Sequence, residues 1–380
     1  MKSLKYILFI CFITLALAEI ISRLLVVEKE GGEFLLGKPW RYVLPIRYDD
    51  RSVSKEDGSG ASYRVYDSLL GWSHGFWQSS DSMYYSDDKG YRCSRETWLG
   101  KIPGPSHYDL ICIGNSFTHG DAVPYEDTWE HMLSASTGRS VLNMGVGGYG
   151  IDQAVIRFMS ADKTCDTAIL GLVAGDLERS LTTVYNYYTG GVKTKPKFKF
   201  GDSGYVLMNV PCVRPWEFVR RPVTPEVENV YRGIDGYNDY LNKESKWWAN
   251  SVFLRLIFSS IEQRRHKKAP VYMTEGSEFE YCIRIIDVFK RHCASKGIVP
   301  VVLMIDNINT FKDRTAKGSN TWTAMKRKLD QMGILNWEFQ DLFFRKFREN
   351  ESDVIHPVEK VHYSQKGNRL LADQLLMKLK

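Results

Sequence analysis

The chain of 380 residues carries 51 basic and 45 acidic side chains, a net charge of +6, and is 43% apolar with 13% aromatic residues. That composition excludes a disordered or fibrous chain, and the length excludes a short disulfide-stapled scaffold. The mild, dispersed charge excludes the dense basic footprint of a nucleic-acid binder; the one basic run, QRRHKK at 263–268, reads as a solvated helix end.

Lys2 and Lys5 precede an unbroken apolar run from Tyr6 to Ala18, and Ala16-Leu17-Ala18 offers small residues where a signal peptidase reads them. Apolarity resumes after Glu19, so Tyr6–Val27 also approaches the ~20 residues that a membrane-spanning helix needs. Residues 1–30 therefore read either as a cleaved signal peptide or as an uncleaved anchor through residues 6–27, with Glu19 and Arg23 an i,i+4 pair. In both cases the basic end stays cytoplasmic and the remaining chain is extracytoplasmic, whether periplasmic, secreted or anchored facing outside.

Residues 31–105 show no sustained period, only aromatic-rich extended stretches such as DSLLGWSHGFW and SDDKGYR, and read as an N-terminal strap packed on the domain that begins after residue 105. At Tyr108 the texture changes. DLICIG is a short apolar strand, and a helix is predicted over Thr128–Ser136. Strand VLNMG at 141–145, helix Ile151–Ala161 and strand AILGLV at 168–173 come next. The alternation stops after Ser180; residues 181–277, with the Lys-rich KTKPKFKF and an amphipathic stretch near Trp247–Ile261, read as an insertion. It resumes with helix 278–296, strand IVPVVLMID at 298–306, helix 321–332, a short strand near Ile334–Phe339 and a final helix 367–378. Strand–helix alternation predicts a mostly parallel sheet with helices on its faces, formed by 106–180 and 278–380. The cysteines outside the leader, Cys93, Cys112, Cys165, Cys212, Cys282 and Cys293, make no C-x-x-C and no metal spacing, so neither a metal nor a cofactor is expected. Cys112, inside LICIG, reads as a buried small hydrophobe. Cys282 and Cys293, about 16 Å apart along one helix, cannot bridge each other.

GNSFTHG at 114–120 puts Ser116 where a strand's carboxyl end meets a helix, the place where open α/β sheets bind ligands and where backbone N–H groups face an anion. Two readings of Ser116 stand side by side, a nucleophile that needs a base elsewhere and a helix N-cap. Thr118 excludes the G-x-S-x-G elbow, which requires glycine there. Near the other end, Glu359 stands three residues before His362 in a turn leading into a helix. A carboxylate so placed can hold one imidazole nitrogen and leave the other for a serine. Asp353 and His356 repeat the spacing as a rival pair, but Pro357 comes directly after His356, while Gly367 and a periodic helix come after His362. His119, Asp121, Asp152 and Asp176 read as turn, cap or packing residues. Trp247 and Trp248 offer either sugar stacking or core packing.

GNSFTHG, AVPYEDTWEHML, VLNMGVGGYGIDQ, AILGLVAGDLERS and the acid-x-x-His turn occur in an order and spacing that resemble the SGNH/GDSL hydrolases, and more narrowly their membrane-anchored branch. The resemblance covers most of residues 60–376 and implies a flavodoxin-like three-layer α/β/α fold. It implies a Ser116 nucleophile, a His362 base and a Glu359 acid, where the family more often has aspartate. It also implies an oxyanion hole from the N–H groups of Ser116 and Gly148, with Gly147 as the register alternative. Where the family carries an asparagine donor this chain has Gly175, so the Gly175 N–H or Asn143 is left to substitute, or the enzyme is slow or inactive. The implied activity is hydrolysis of a small-molecule or glycan acyl ester, an O-acetyl glycan among them. Transfer of the acyl group to a glycan hydroxyl and non-catalytic glycan binding or scaffolding are the alternatives.

Overall fold

The computed structural model describes residues 2–29, 32–36, 38–39, 63–79, 81–102, 104–185, 193–202, 204–212, 250–265, 270–273 and 275–379. The chain divides into two compact units. One comprises Met1–Asp57, Thr182–Thr194 and Val213–Lys268, and the other Gly58–Leu181, Lys195–Cys212 and Ala269–Lys380. Trp247, Trp248 and the end of the basic run at 266–268 lie outside the described residues.

In the first unit a helix runs over Lys2–Leu25, and its Leu4–Leu25 portion, 22 residues with a mean hydropathy of 2.2, is long and apolar enough to cross a membrane. Near its end Glu19 pairs with Arg23 at 2.7 Å. The same carboxylate accepts hydrogen bonds from the hydroxyl of Ser251 (2.7 Å) and the amides of Val252 (3.1 Å) and Phe253 (3.0 Å). Glu19 thus caps the helix Val252–Arg265, satisfying two of the first-turn amides that a helix cannot satisfy itself. Ser22, one turn on, is buried.

The second unit is built on five parallel strands among the described residues: β1 His107–Gly114, β2 Val141–Asn143, β3 Thr164–Leu172, β4 Val299–Met304 and β5 Leu335–Glu338. Their order is β2-β1-β3-β4-β5, the flavodoxin-like arrangement, and every neighbouring pair is parallel. Besides a single turn at Arg95–Trp98 in the strap, its α-helices among the described residues are α1 Ser116–His119, α2 Trp129–Thr137, α3 Ile151–Met159, α4 Ala174–Ser180, α5 Ser277–Ser295, α6 Ile308–Lys317, α7 Thr323–Gln331, α8 Gln340–Glu349 and α9 Gln365–Lys378. Leu110, Cys112, Ile169, Val301, Leu303 and Trp337 point to one face and pack with Trp129, Leu133, Phe311, Phe343, Leu371 and Leu375. On the other face α3 and α5 pack on each other, α3 also on β1 and α5 on β4. The result is a three-layer α/β/α sandwich, and burial on both faces is why the central strands read as continuous apolar runs.

Helices α4, α6 and α8 stand where the sequence pattern predicts no element. In α6 the N-cap Asn307 accepts from the amides of Asn309 and Thr310, and only Thr310 and Phe311 are buried. The strap residues from Tyr63 onward form two hairpins, Arg64–Asp67 with Gly71–His74 and Trp77–Gln78 with Tyr85–Ser86. Arg92 then hydrogen-bonds through its amide to Asn143 O (3.1 Å), which extends the sheet beyond β2. All seven cysteines are unpaired, and only Cys11 is exposed.

Candidate active site

Strand β1 ends at Gly114, where any Cβ would overlap Gly171 O of β3 and the side chain of Thr118, so glycine alone lets the turn close there. Asn115 is the N-cap of α1: its Oδ1 accepts from Phe117 N at 2.7 Å. Its amide group donates to Asp176, whose carboxylate also accepts from Val173 N (2.9 Å) and Arg179 (2.6 Å). The capping role considered for Ser116 therefore belongs to Asn115, and Ser116 becomes the first helical residue with its hydroxyl free of the cap. Asp176 is fully buried; burial pushes its carboxyl up to about 6 against the opposing pull of Arg179 and its hydrogen-bond donors. Gly145, on the loop after β2, sits so close to α1 that a Cβ would overlap the backbone of Thr118 and His119.

His362 comes to this turn from 246 residues away, and its Nε2 accepts a 2.8 Å hydrogen bond from Ser116 Oγ. Its Nδ1 lies 2.6 Å from Glu359 Oε1, while Glu359 Oε2 accepts from the amides of His362 (2.9 Å) and Val361 (3.2 Å). Burial alone would raise the Glu359 carboxyl, but the hydrogen bonds from the side chain and backbone of His362 hold it below its ordinary value. An ionised acceptor at Nδ1 assigns the ring proton to that nitrogen and leaves Nε2 as the acceptor. Lys360 takes a left-handed φ of +58°, which tightens the turn enough for Glu359 to reach back. The ring of Phe117 packs 5.1 Å from His362 and edge-on to the buried Tyr363. Downstream, a Cβ on Gly367 would overlap Val354 O, so α9 can approach the 354–363 segment only with glycine at that position.

The rival pair is not brought together. Asp353 pairs with Lys366 (2.7 Å), and His356 Nδ1 accepts from Glu359 N (3.2 Å). Gly148 has a φ of +85°, and among the described residues neither its amide nor that of Ser116 meets an acceptor. Asn143 is occupied elsewhere, donating to Thr118 O (2.7 Å) and accepting from Gly145 N (2.9 Å). Gly175 lies in the first turn of α4, where its amide has no intrahelical acceptor. Asp152 is fully buried against Lys195. Among the described residues no three His, Cys, Asp or Glu side chains converge so as to hold a metal ion.

Beneath the Ser116 turn lies a network that motif spacing does not reveal. The buried guanidinium of Arg92 donates to the carbonyls of His119 (2.6 Å), Gly120 (2.7 Å) and Val123 (2.6 Å). Ala122, at a left-handed φ of +74°, donates its amide to Tyr84 Oη at 2.8 Å. His119 joins Asp121 through Nδ1 and Tyr63 Oη (2.7 Å) through Nε2, and it packs edge-on to His74. Burial, with Arg92 adding to it, depresses His119 to about 4, so its ring is neutral. Burial would raise Asp121, yet His119 first, then His362 and Arg64, bring it down to about 2.

No family model matches this chain, and no curated protein matches it. Among solved structures it is similar to a member of the lipolytic protein G-D-S-L family from Veillonella parvula DSM 2008, at 14% identity over 70% of this chain and 96% of that one, with a TM-score of 0.36. It is also similar to a protein described as belonging to the same family from Desulfitobacterium hafniense DCB-2, at 13% identity over 71% and 98%, with a TM-score of 0.34.

Proposed function

We propose that this chain is a membrane-anchored serine hydrolase of the SGNH/GDSL type that cleaves an acyl ester outside the cytoplasm. The observation that carries this is the continuous Ser116–His362–Glu359 hydrogen-bond chain, 2.8 and 2.6 Å, joining two segments 246 residues apart. Ser116 Oγ attacks the acyl carbon as His362 Nε2 takes its proton. The imidazolium so formed is stabilised by Glu359 and returns the proton to the leaving alcohol. The unspent amides of Ser116 and Gly148 are the donors for the tetrahedral oxyanion. Water then enters in the reverse sequence and releases the acid. The test is labelling with a fluorophosphonate probe. A single adduct on Ser116, lost in Ser116→Ala and strongly slowed in His362→Ala, is expected; an unlabelled folded protein would overturn the proposal.

The packing of the apolar helix favours its retention. Cleavage after Ala18 would cut the helix Lys2–Leu25 in the middle, directly before the residue that caps Val252–Arg265. The protein is therefore expected to stay with membranes through an alkaline carbonate wash and to keep residues 1–18 in its intact mass. Protease added to spheroplasts should degrade the second unit. A mature chain beginning at Glu19 would show that the leader is removed.

A further inference from the structure

Beside the proposed hydrolytic centre stand two charged groups to which the ester chemistry assigns no role. Gly147 separates them: measured from the position a Cβ on Gly147 would take, Arg64 Nη2 lies at 2.6 Å and Asp121 Oδ2 at 3.3 Å. Arg64 and Asp121 form no ion pair with each other, and the Arg64 side chain is exposed with no hydrogen-bond partner among the described residues. Among the described residues Asp121 is anchored at one oxygen only. Its Oδ1 is held by His119, its amide donates to Ser116 O (2.9 Å), and the side chain remains 20% exposed. The turn that carries it is kept in a left-handed conformation at Ala122 by the buried Arg92 and by Tyr84, a strained geometry that persists only where surrounding structure imposes it.

We infer that Arg64 and Asp121 form a hydroxyl-reading subsite that selects esters of polyhydroxyl compounds, saccharides in the first place. This deepens the serine hydrolase reading and depends on it for the position of the reacting ester. A guanidinium donates to a hydroxyl oxygen and a carboxylate accepts from a hydroxyl proton, so a donor and an acceptor facing across one glycine match two hydroxyls of a sugar ring. An acidic substrate fits less well, because Asp121 and Glu359 both place negative charge near His362.

The experiment compares 6-O-acetylglucose with p-nitrophenyl acetate, which has no hydroxyl to read. Arg64→Met and Asp121→Asn should each lower kcat/KM for the sugar ester about 10- to 100-fold more than for the aryl ester, mainly through KM. Arg64 is exposed, so its variant is the one free of folding effects; circular dichroism checks the other. Equal losses on both substrates, the result expected if Asp121 acts on His362, would overturn the inference, as would no loss. Binding is read separately from turnover by saturation-transfer NMR of 6-O-acetylglucose on the Ser116→Ala chain. Signal is expected there and should vanish in the Ser116→Ala, Arg64→Met double variant; its absence in the first or persistence in the second overturns the subsite. If Ser116 fails to take the fluorophosphonate, the hydrolase reading fails on its own account. If it labels while sugar selectivity is unmoved, only the subsite fails.

Discussion

Ser116→Ala is expected to lower kcat for a short-chain aryl ester on the order of 10⁴- to 10⁶-fold while leaving the thermal midpoint close to that of the unaltered chain. The separation of the two effects comes from local geometry. Were Ser116 the N-cap, its removal would cost about 0.5–2 kcal/mol; Asn115 holds that role, and the Ser116 hydroxyl makes its bond to His362 instead. His362→Ala should match the kinetic loss, since a nucleophile and its base act as one unit and their effects do not add. Its stability cost should be modest, being limited to the bonds of the ring to Glu359 and Ser116 and its contact with Phe117. Glu359→Gln removes the charge but keeps the reach, so the imidazole can still be held while the imidazolium loses its counter-charge. Turnover should fall strongly, whereas Asp353→Asn, which disturbs a surface pair with Lys366, should leave it near the starting value. Initial rates with p-nitrophenyl acetate, alongside thermal unfolding of each variant, check all four. Wild-type-like turnover by folded Ser116→Ala or His362→Ala would remove the assignment, and the reverse order of the two acid variants would move the acid to Asp353.

The parts legible in the sequence are those where one short stretch carries its own reason. Buried parallel strands are apolar on both faces, so LICIG, AILGLV and VVLM announce themselves; α3 and α5 show full apolar stripes. Helix α6 buries only Thr310 and Phe311 and leaves little period to read, although its Asn307 cap is a local signal. In α8 the aromatic residues Phe343, Phe344 and Phe347 do keep helical spacing, so this helix has a mark in the sequence that the strand–helix pattern passes over. The Ser116–His362–Glu359 grouping is readable from two short motifs because each contains its own turn. The network around Asp121 is not, because its members Tyr63, Arg64, Tyr84 and Arg92 come from a strap without periodicity. One buried arginine among 51 basic residues has no sequence mark. Its task, holding three carbonyls of a turn 27 to 31 residues away, exists only in three dimensions.

Gly175→Asn is expected to raise turnover. The resemblance to the SGNH/GDSL hydrolases implies that Gly175 falls where they supply an asparagine donor to the oxyanion, and the next residue, Asp176, is tied to Asn115 directly before Ser116, the proposed nucleophile. The site can take the side chain. Gly175 is not among the glycines with a positive φ, and a Cβ there would meet nothing nearer than the end of Arg179 at 3.9 Å. Replacing a helical glycine should also cost no stability and gains a few tenths of a kcal/mol by propensity. The gain in rate is bounded by what one lost oxyanion donor costs elsewhere, about 2.7–4 kcal/mol or 10²–10³ in kcat. It should fall short of that bound, because the new carboxamide must give up water and fix two torsions to reach the oxyanion. A bond formed only in the transition state raises kcat and leaves KM nearly unchanged, so the two constants measured on one aryl ester separate this effect from tighter substrate binding. If a folded, fluorophosphonate-reactive Gly175→Asn chain turns over at the original rate, the Gly175 amide or another group already fills the third position, and the glycine is then no defect in the site.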